Sequence, residues 1–317
     1  MDRPVVATKG LRFAYGEIVA LDGVSIEMPA GLVGLVGANG AGKTTFLKLL
    51  LGVLQPVAGG IDVLGTPMPG GELTVRSKVG WMPEGDCMPP DQTAADFLGY
   101  AAELGGLPAR AARQRASDVL TLVGLHEERF RYVGEFSTGM KQRAKLAQAI
   151  VHDPDLVLLD EPTAGLDPEG REEMLDLVAR LEGFGINAVI SSHVLTDIER
   201  TCSWVVMLDG GKVLRSVPLS ELSTTDEVEV EVVGNTGPLL AALAAAGAEV
   251  AGDGPELTVR TPEGTDTFLI VRDALADTGT GLRRMGPKRT TLEDIFLGGG
   301  EPLAPPPPPP PLEGTDG

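Results

Sequence analysis

Leu32-Val33-Gly34-Leu35-Val36-Gly37-Ala38-Asn39-Gly40-Ala41-Gly42-Lys43-Thr44-Thr45 decides the reading of this chain. Five apolar residues form a run short enough for a buried strand. A glycine-rich turn follows, and then Phe46 to Leu51 continues the helical pattern begun at Thr44, closed by Gly52. Gly37, Gly42, Lys43 and Thr44 satisfy the spacing G-x-x-x-x-G-K-[ST]. Glycines let backbone N–H groups turn inward, and the helix N-terminus adds its positive end, so phosphate is the expected ligand. Gly37, Asn39, Gly40, Ala41, Gly42, Lys43, Thr44 and Thr45 are therefore candidate nucleotide contacts. Lys43 reaches the β- and γ-phosphates, and the Thr44 hydroxyl is a ligand for Mg²⁺. An ordinary glycine turn before a helix would not need strand, Lys-Thr and helix together.

Outward from the loop, helical and strand-like segments alternate to about Leu222, which predicts an α/β domain with a parallel-rich sheet. Val24 to Met28, Lys78 to Met82, Leu156 to Asp160 and Ala188 to Ser192 read as strands. The last two are continuous apolar runs, as in the middle of a parallel sheet. Asp91 to His152 reads as mainly helical. Asp167 caps a helix with Pro168 at its first position and Met174, Leu177, Val178 and Leu181 on its inner stripe. Val205 to Leu214 is a hairpin around Asp209-Gly210-Gly211.

From about 225 to 297 the order is β-α-β-β-α-β, that of a small ferredoxin-like unit, with Thr291 to Leu297 as a closing helix. Residues 298–317 are rich in glycine and proline, including Pro305 to Pro311, and read as a disordered tail.

Asp160 and Glu161 end one apolar run and His193 ends the next. Beside a phosphate loop, Asp160 suits Mg²⁺, Glu161 suits polarising the attacking water, and His193 suits sensing the γ-phosphate. An acidic strand end alone is commonplace; the loop upstream gives this one its meaning. His126 and His152 lack such a setting and read as structural.

These pieces resemble the nucleotide-binding domain of ATP-binding-cassette (ABC) transporters over about Val5 to Leu222. Phe136-Ser137-Thr138-Gly139-Met140-Lys141-Gln142-Arg143 looks like the signature written LSGGQ, departing at Phe136, Thr138 and Met140 but keeping Ser137 and Gly139. Ser137 also stands where it can cap the helix that follows. The resemblance implies that Ser137 and Gly139 contact the γ-phosphate held by another copy's loop, so that two chains close head to tail around two ATP. It also implies that Tyr15 stacks on adenine and that Glu84 occupies the Q-loop position usually held by glutamine and ligates Mg²⁺. Ala164 to Asp167 is implied to touch the second subunit. A helical subdomain, about 85–152, is implied, its part from roughly Gly85 to Arg131 docking a membrane permease on a separate chain. Met82-Pro83-Glu84, the small C-terminal unit and Thr291 to Leu297 are most like the ABC-2-type export ATPases, which implies export.

The bulk properties agree. The 317 residues suggest about two domains. The net charge of −19 disfavours nucleic acid as a partner and disfavours a polybasic grip on lipid. The competing reading is a soluble, non-transport ABC ATPase acting on ribosomes or DNA. One cassette rather than two, and a short gap from Gly42 to Ser137, speak against it. Cys87 and Cys202 lack metal or redox spacing and read as reduced, buried or half-buried thiols. With no signal core and no run of about 20 apolar residues, the chain is expected in the cytoplasm, peripheral on the membrane through its permease.

Overall fold

The computed structural model describes residues 3–222, 227–252, 254–262 and 265–288. The expected closing helix at 291–297 and the tail lie outside them. Three sheets organise the described residues. Ile18–Met28, Val6–Tyr15, Ala58–Val63 and Thr66–Met68 form an antiparallel sheet in that order. The second sheet has six strands, in the order Lys212–Pro218, Trp204–Asp209, Leu32–Val36, Asn187–Ser192, Leu156–Asp160 and Val79–Met82. All its pairings are parallel except that of the first two strands, the hairpin expected at Asp209-Gly210-Gly211.

The apolar runs are explained by burial on both faces. Val33, Leu35, Leu156, Leu158, Val189 and Val206 face one core with the loop helix Lys43–Leu50 and the antiparallel sheet. Their strand neighbours Leu32, Val36, Val157, Leu159, Ala188, Ile190 and Val205 face the other core. There they meet the helices Ala94–Leu104, Ala109–Leu122, Thr138–Ile150 and Pro168–Gly183. Period-two alternation puts successive residues on opposite faces, so a strand buried on both sides is apolar along its middle and keeps polar residues for its ends. Each fully buried Val or Leu contributes about 1.5–3 kcal/mol.

The helix Thr138–Ile150 lies directly on the edge strand Val79–Met82. A Cβ built on Gly80 would stand 1.9 Å from the carbonyl oxygen of Ala149, so only glycine permits this approach. On the helix Pro168–Gly183, the buried residues are Met174, Leu175, Val178 and Leu181. Leu175 thus takes the fully buried place expected for Leu177, which is only partly buried.

The last sheet, in the order Glu249–Ala251, Glu256–Arg260, Glu227–Val233, Gly281–Pro287, is wholly antiparallel and carries the helices Gly237–Ala245 and Thr267–Thr278. This is the ferredoxin-like strand order. Val228, Val230 and Val232 enter its own core, while Glu227, Glu229 and Glu231 meet Lys288, Arg284 and Arg283. Among the described residues, no helix is long and apolar enough to cross a membrane.

Gly80→Ala should lower unfolding stability by about 3 kcal/mol, the upper end of ordinary overpacking, because the obstructing atom is backbone and cannot swing away. Urea denaturation of the two chains reads the difference; a loss below half that value means that the helix can shift.

Candidate functional site

The parallel pairing sets three strand ends at one level. Val36 pairs with Ser192, and Asp160 with Ser191. The residues that follow, from Gly37, Glu161 and His193, therefore converge beyond the carboxyl ends of the strands, where open α/β sheets bind ligands.

The loop is built around glycine. Gly40 and Gly42 have φ of 86° and 102°, in the left-handed region. A Cβ on Gly37 would lie 2.4 Å from the Leu208 carbonyl oxygen. Gly42 stands at the N-cap of Lys43–Leu50 and supplies no side-chain acceptor, so the first-turn amides are left for a ligand. Ala38, Asn39 and Gly40 are exposed at the tip, while Ala41 and Thr45 are buried.

Lys43 is the central cation. Its side chain is 7% exposed, its Nζ donates to the Gly37 carbonyl at 2.6 Å, and it lies 3.4 Å from Glu161 Oε1. That oxygen is buried and accepts no hydrogen bond. The other oxygen, Oε2, is 2.9 Å from His193 Nδ1. His193 itself is half exposed at 51%. One residue after Lys43 and one before Glu161, the Thr44 hydroxyl donates to Asp160 Oδ2 at 2.8 Å. The structure thus brings Lys43, Thr44, Asp160, Glu161 and His193 together.

Tyr15 is exposed at the edge of this group. Its hydroxyl is 3.5 Å from Thr45 Oγ1 and its ring meets Phe13 edge to face at 4.8 Å. Glu84 stands apart, with an exposed side chain. Its backbone carbonyl accepts from Lys145 Nζ at 2.7 Å. Burial pushes the Lys145 ammonium below the usual lysine range, against the pull of Cys87, Asp86, Glu84 and Asp160.

Ser137 and Gly139 occupy a different surface. Ser137 caps Thr138–Ile150, accepting from the Met140 N–H at 3.3 Å. Both line a cavity of about 430 Å³ with Gly165, Leu166 and Asp167, a lining that includes no residue of the phosphate loop. Asp167 caps its helix through Gly170 N at 3.1 Å.

Phosphate and Mg²⁺ fit these residues. A buried ammonium whose neighbours are a carbonyl and an unsatisfied carboxylate oxygen has a ready exchange for phosphate oxygens. Thr44 and Asp160 provide one hydroxyl and one carboxylate, a donor set that suits Mg²⁺ completed by substrate phosphates and water.

Sequence reading missed Ser191. Its hydroxyl donates to Asp160 Oδ1 at 2.6 Å and accepts from Glu161 N at 3.0 Å, so it holds both acidic residues from the next strand. A hydroxyl at the end of an otherwise apolar strand was the available signal. Gln142 was missed too; its Nε2 donates to the Ala164 carbonyl at 2.9 Å. The cysteine expectation needs one correction. Cys87 is exposed, because it sits in the loop after Glu84; Cys202 is half-buried, its thiol pushed up to about 12 by burial.

Ser191→Ala removes the donor to a buried carboxylate and should cost about 1–3 kcal/mol of stability. ATP turnover should fall in the same variant with the chain still folded. Chemical denaturation and a phosphate-release assay report the two effects; wild-type values in both would remove Ser191 from the site.

The model of the ABC transporter family matches residues 21–164. The Nod factor export ATP-binding protein I of Ralstonia nicotianae is 34% identical over 303 residues, covering 93% of each chain. An uncharacterized ABC transporter ATP-binding protein of Bacillus subtilis, YxlF, is 39% identical over 198 residues, 62% of this chain and 65% of its own. Among solved structures, an ATP binding subunit of an ABC transporter superposes with a TM-score of 0.62 at 29% identity, covering 69% of this chain and 91% of that one. The protein cbiO1 from Clostridium perfringens, part of the transporter complex cbiONQ, gives 0.63 at 25%, covering 69% and 90%. With this loop, these acidic strand ends and these relatives, the chain belongs to the ATP-binding subunits of the ABC transporter family and is an ABC-type ATPase.

Proposed function

We propose that two copies of this chain close head to tail around two ATP and drive a permease carried on a separate chain, at the inner face of the cell membrane. Residues 1–222 form the catalytic unit, with a helical subdomain at about 85–152 that docks the permease through roughly Gly85 to Arg131, and 225–297 an accessory unit. The observation that carries the reading is the pairing of Lys43 with Glu161 and of Thr44 with Asp160, beside a signature surface that lines a separate cavity. One copy thus holds nearly every group for phosphoryl transfer, while Ser137 and Gly139 remain to serve another copy. Relatives named for Nod factor export support the direction.

The chemistry follows from the contacts. On binding ATP, Lys43 turns from Gly37 and Glu161 to the β- and γ-phosphates. Glu161 is then free to accept a proton through Oε1 as water attacks the γ-phosphorus and the bond to ADP breaks. His193 orients the carboxylate through Oε2 and reports loss of the γ-phosphate. Tyr15 offers a face to adenine, and Gly37 to Thr45 wrap the phosphates. Mg²⁺ would be held through Thr44 and Asp160, with Glu84 reaching in from the neighbouring loop, and would supply charge neutralisation on the phosphates. Loss of the γ-phosphate removes the contact with Ser137 and Gly139 of the second copy and lets the pair open.

Glu161→Gln should lower ATP turnover at least about 100-fold while ATP is still bound. Equal turnover in the two chains would show that Glu161 is not the base. With ATP, the Glu161→Gln chain should elute as a dimer in size-exclusion chromatography. Adding Ser137→Arg should return it to a monomer that retains nucleotide; a dimer that survives this change rules out the composite site.

A further inference from the structure

We propose that Lys145 is a positioning residue that couples the two ATP sites of the dimer, by tying the helix that presents Ser137 to the segment that presents Glu84. The inference rests on the head-to-tail reading above. Lys145 lies two turns into Thr138–Ile150, on the face shared by Gln142, Leu146 and Ala149. Its side chain is within a residue that is 2% exposed, and its Nζ donates to the Glu84 carbonyl at 2.7 Å.

A buried ammonium costs more than one hydrogen bond to a neutral carbonyl returns. An apolar residue of the same size would pack there at no such cost. The carboxylates of Asp86, Glu84 and Asp160 offset part of that cost, and the hydrogen bond aims the ammonium at the segment that carries Glu84. Two further contacts give the tie leverage. The Gly80–Ala149 approach seats the helix on the strand that runs into Glu84. One turn before Lys145, Gln142 holds the same helix to the Ala164 carbonyl, three residues beyond Glu161. The helix is thus fastened to both segments that flank its own nucleotide, while its first turn carries Ser137 toward the nucleotide of the other copy. A shift of Glu84 or Glu161 on loss of the γ-phosphate is passed to Ser137, and so to the opposite site.

The test is ATP turnover against ATP concentration at matched concentrations of the full chain. The wild type should give a sigmoidal curve with a Hill coefficient of about 2, the number of sites. Lys145→Met should bring it to about 1, with ADP affinity of the single loop unchanged within about twofold. Lys145→Gln, too short to reach the Glu84 carbonyl, should do the same and serves if the Met variant does not fold. A purely structural role would lower the active fraction and leave the shape of the curve unaltered, which would overturn the proposal. A hyperbolic wild-type curve would also overturn it; if Glu161→Gln still dimerises with ATP, the composite site survives that result, and if it does not, both fall.

Discussion

Everything near the loop depends on where a single buried positive charge is kept. Lys43 is almost wholly shielded from water, and an ammonium in such a place must have partners. Its partners are the carbonyl at the start of the same turn and a carboxylate from another strand. Neither is a full match for it, since the carbonyl is neutral and the carboxylate oxygen lies beyond hydrogen-bond length. The parallel sheet makes this arrangement possible, because it delivers the ends of Leu32–Val36, Leu156–Asp160 and Asn187–Ser192 side by side. The apolar strands are thus more than filler, since their register sets the distance between the cation and the carboxylates.

Local chemistry was legible in the sequence. The loop, the strand-end acids and the helix caps at Ser137 and Asp167 announce themselves because each depends on neighbours within a few residues. The α/β alternation was legible because burial on two faces leaves unbroken apolar runs. Contacts between distant segments were less so. Ser191 and Lys145 act through partners 31 and 61 residues away in the chain. Nothing in the spacing of Lys145 distinguishes a buried lysine from one that reaches solvent. The exchange of Leu175 for Leu177 on the inner stripe has the same origin: the core decides which side of a helix is deepest, and the pattern only narrows the choice.

The C-terminal unit shows the complementary case. Alternating Glu and Val in Glu227–Val233 predicts a strand with one wet face, and such a strand is found. The basic row opposite the glutamates comes from Gly281–Pro287 and its continuation, about 50–60 residues on, and could only be paired once the strand order was known.

Glu161 has a φ of 49°, a left-handed conformation that a residue with a Cβ adopts at a cost of order 1–3 kcal/mol. Along a regular strand, neighbouring side chains point to opposite faces. The reversal at Glu161 cancels that rule at one step, so that adjacent carboxylates serve adjacent residues of the loop helix, Asp160 to Thr44 and Glu161 to Lys43. A glycine here would relax the backbone and remove the carboxylate that the proposed mechanism uses as its base. On that proposed role, the chain gives up folding stability at the one backbone position that points the base toward the loop, so an easier backbone there would come at the expense of turnover.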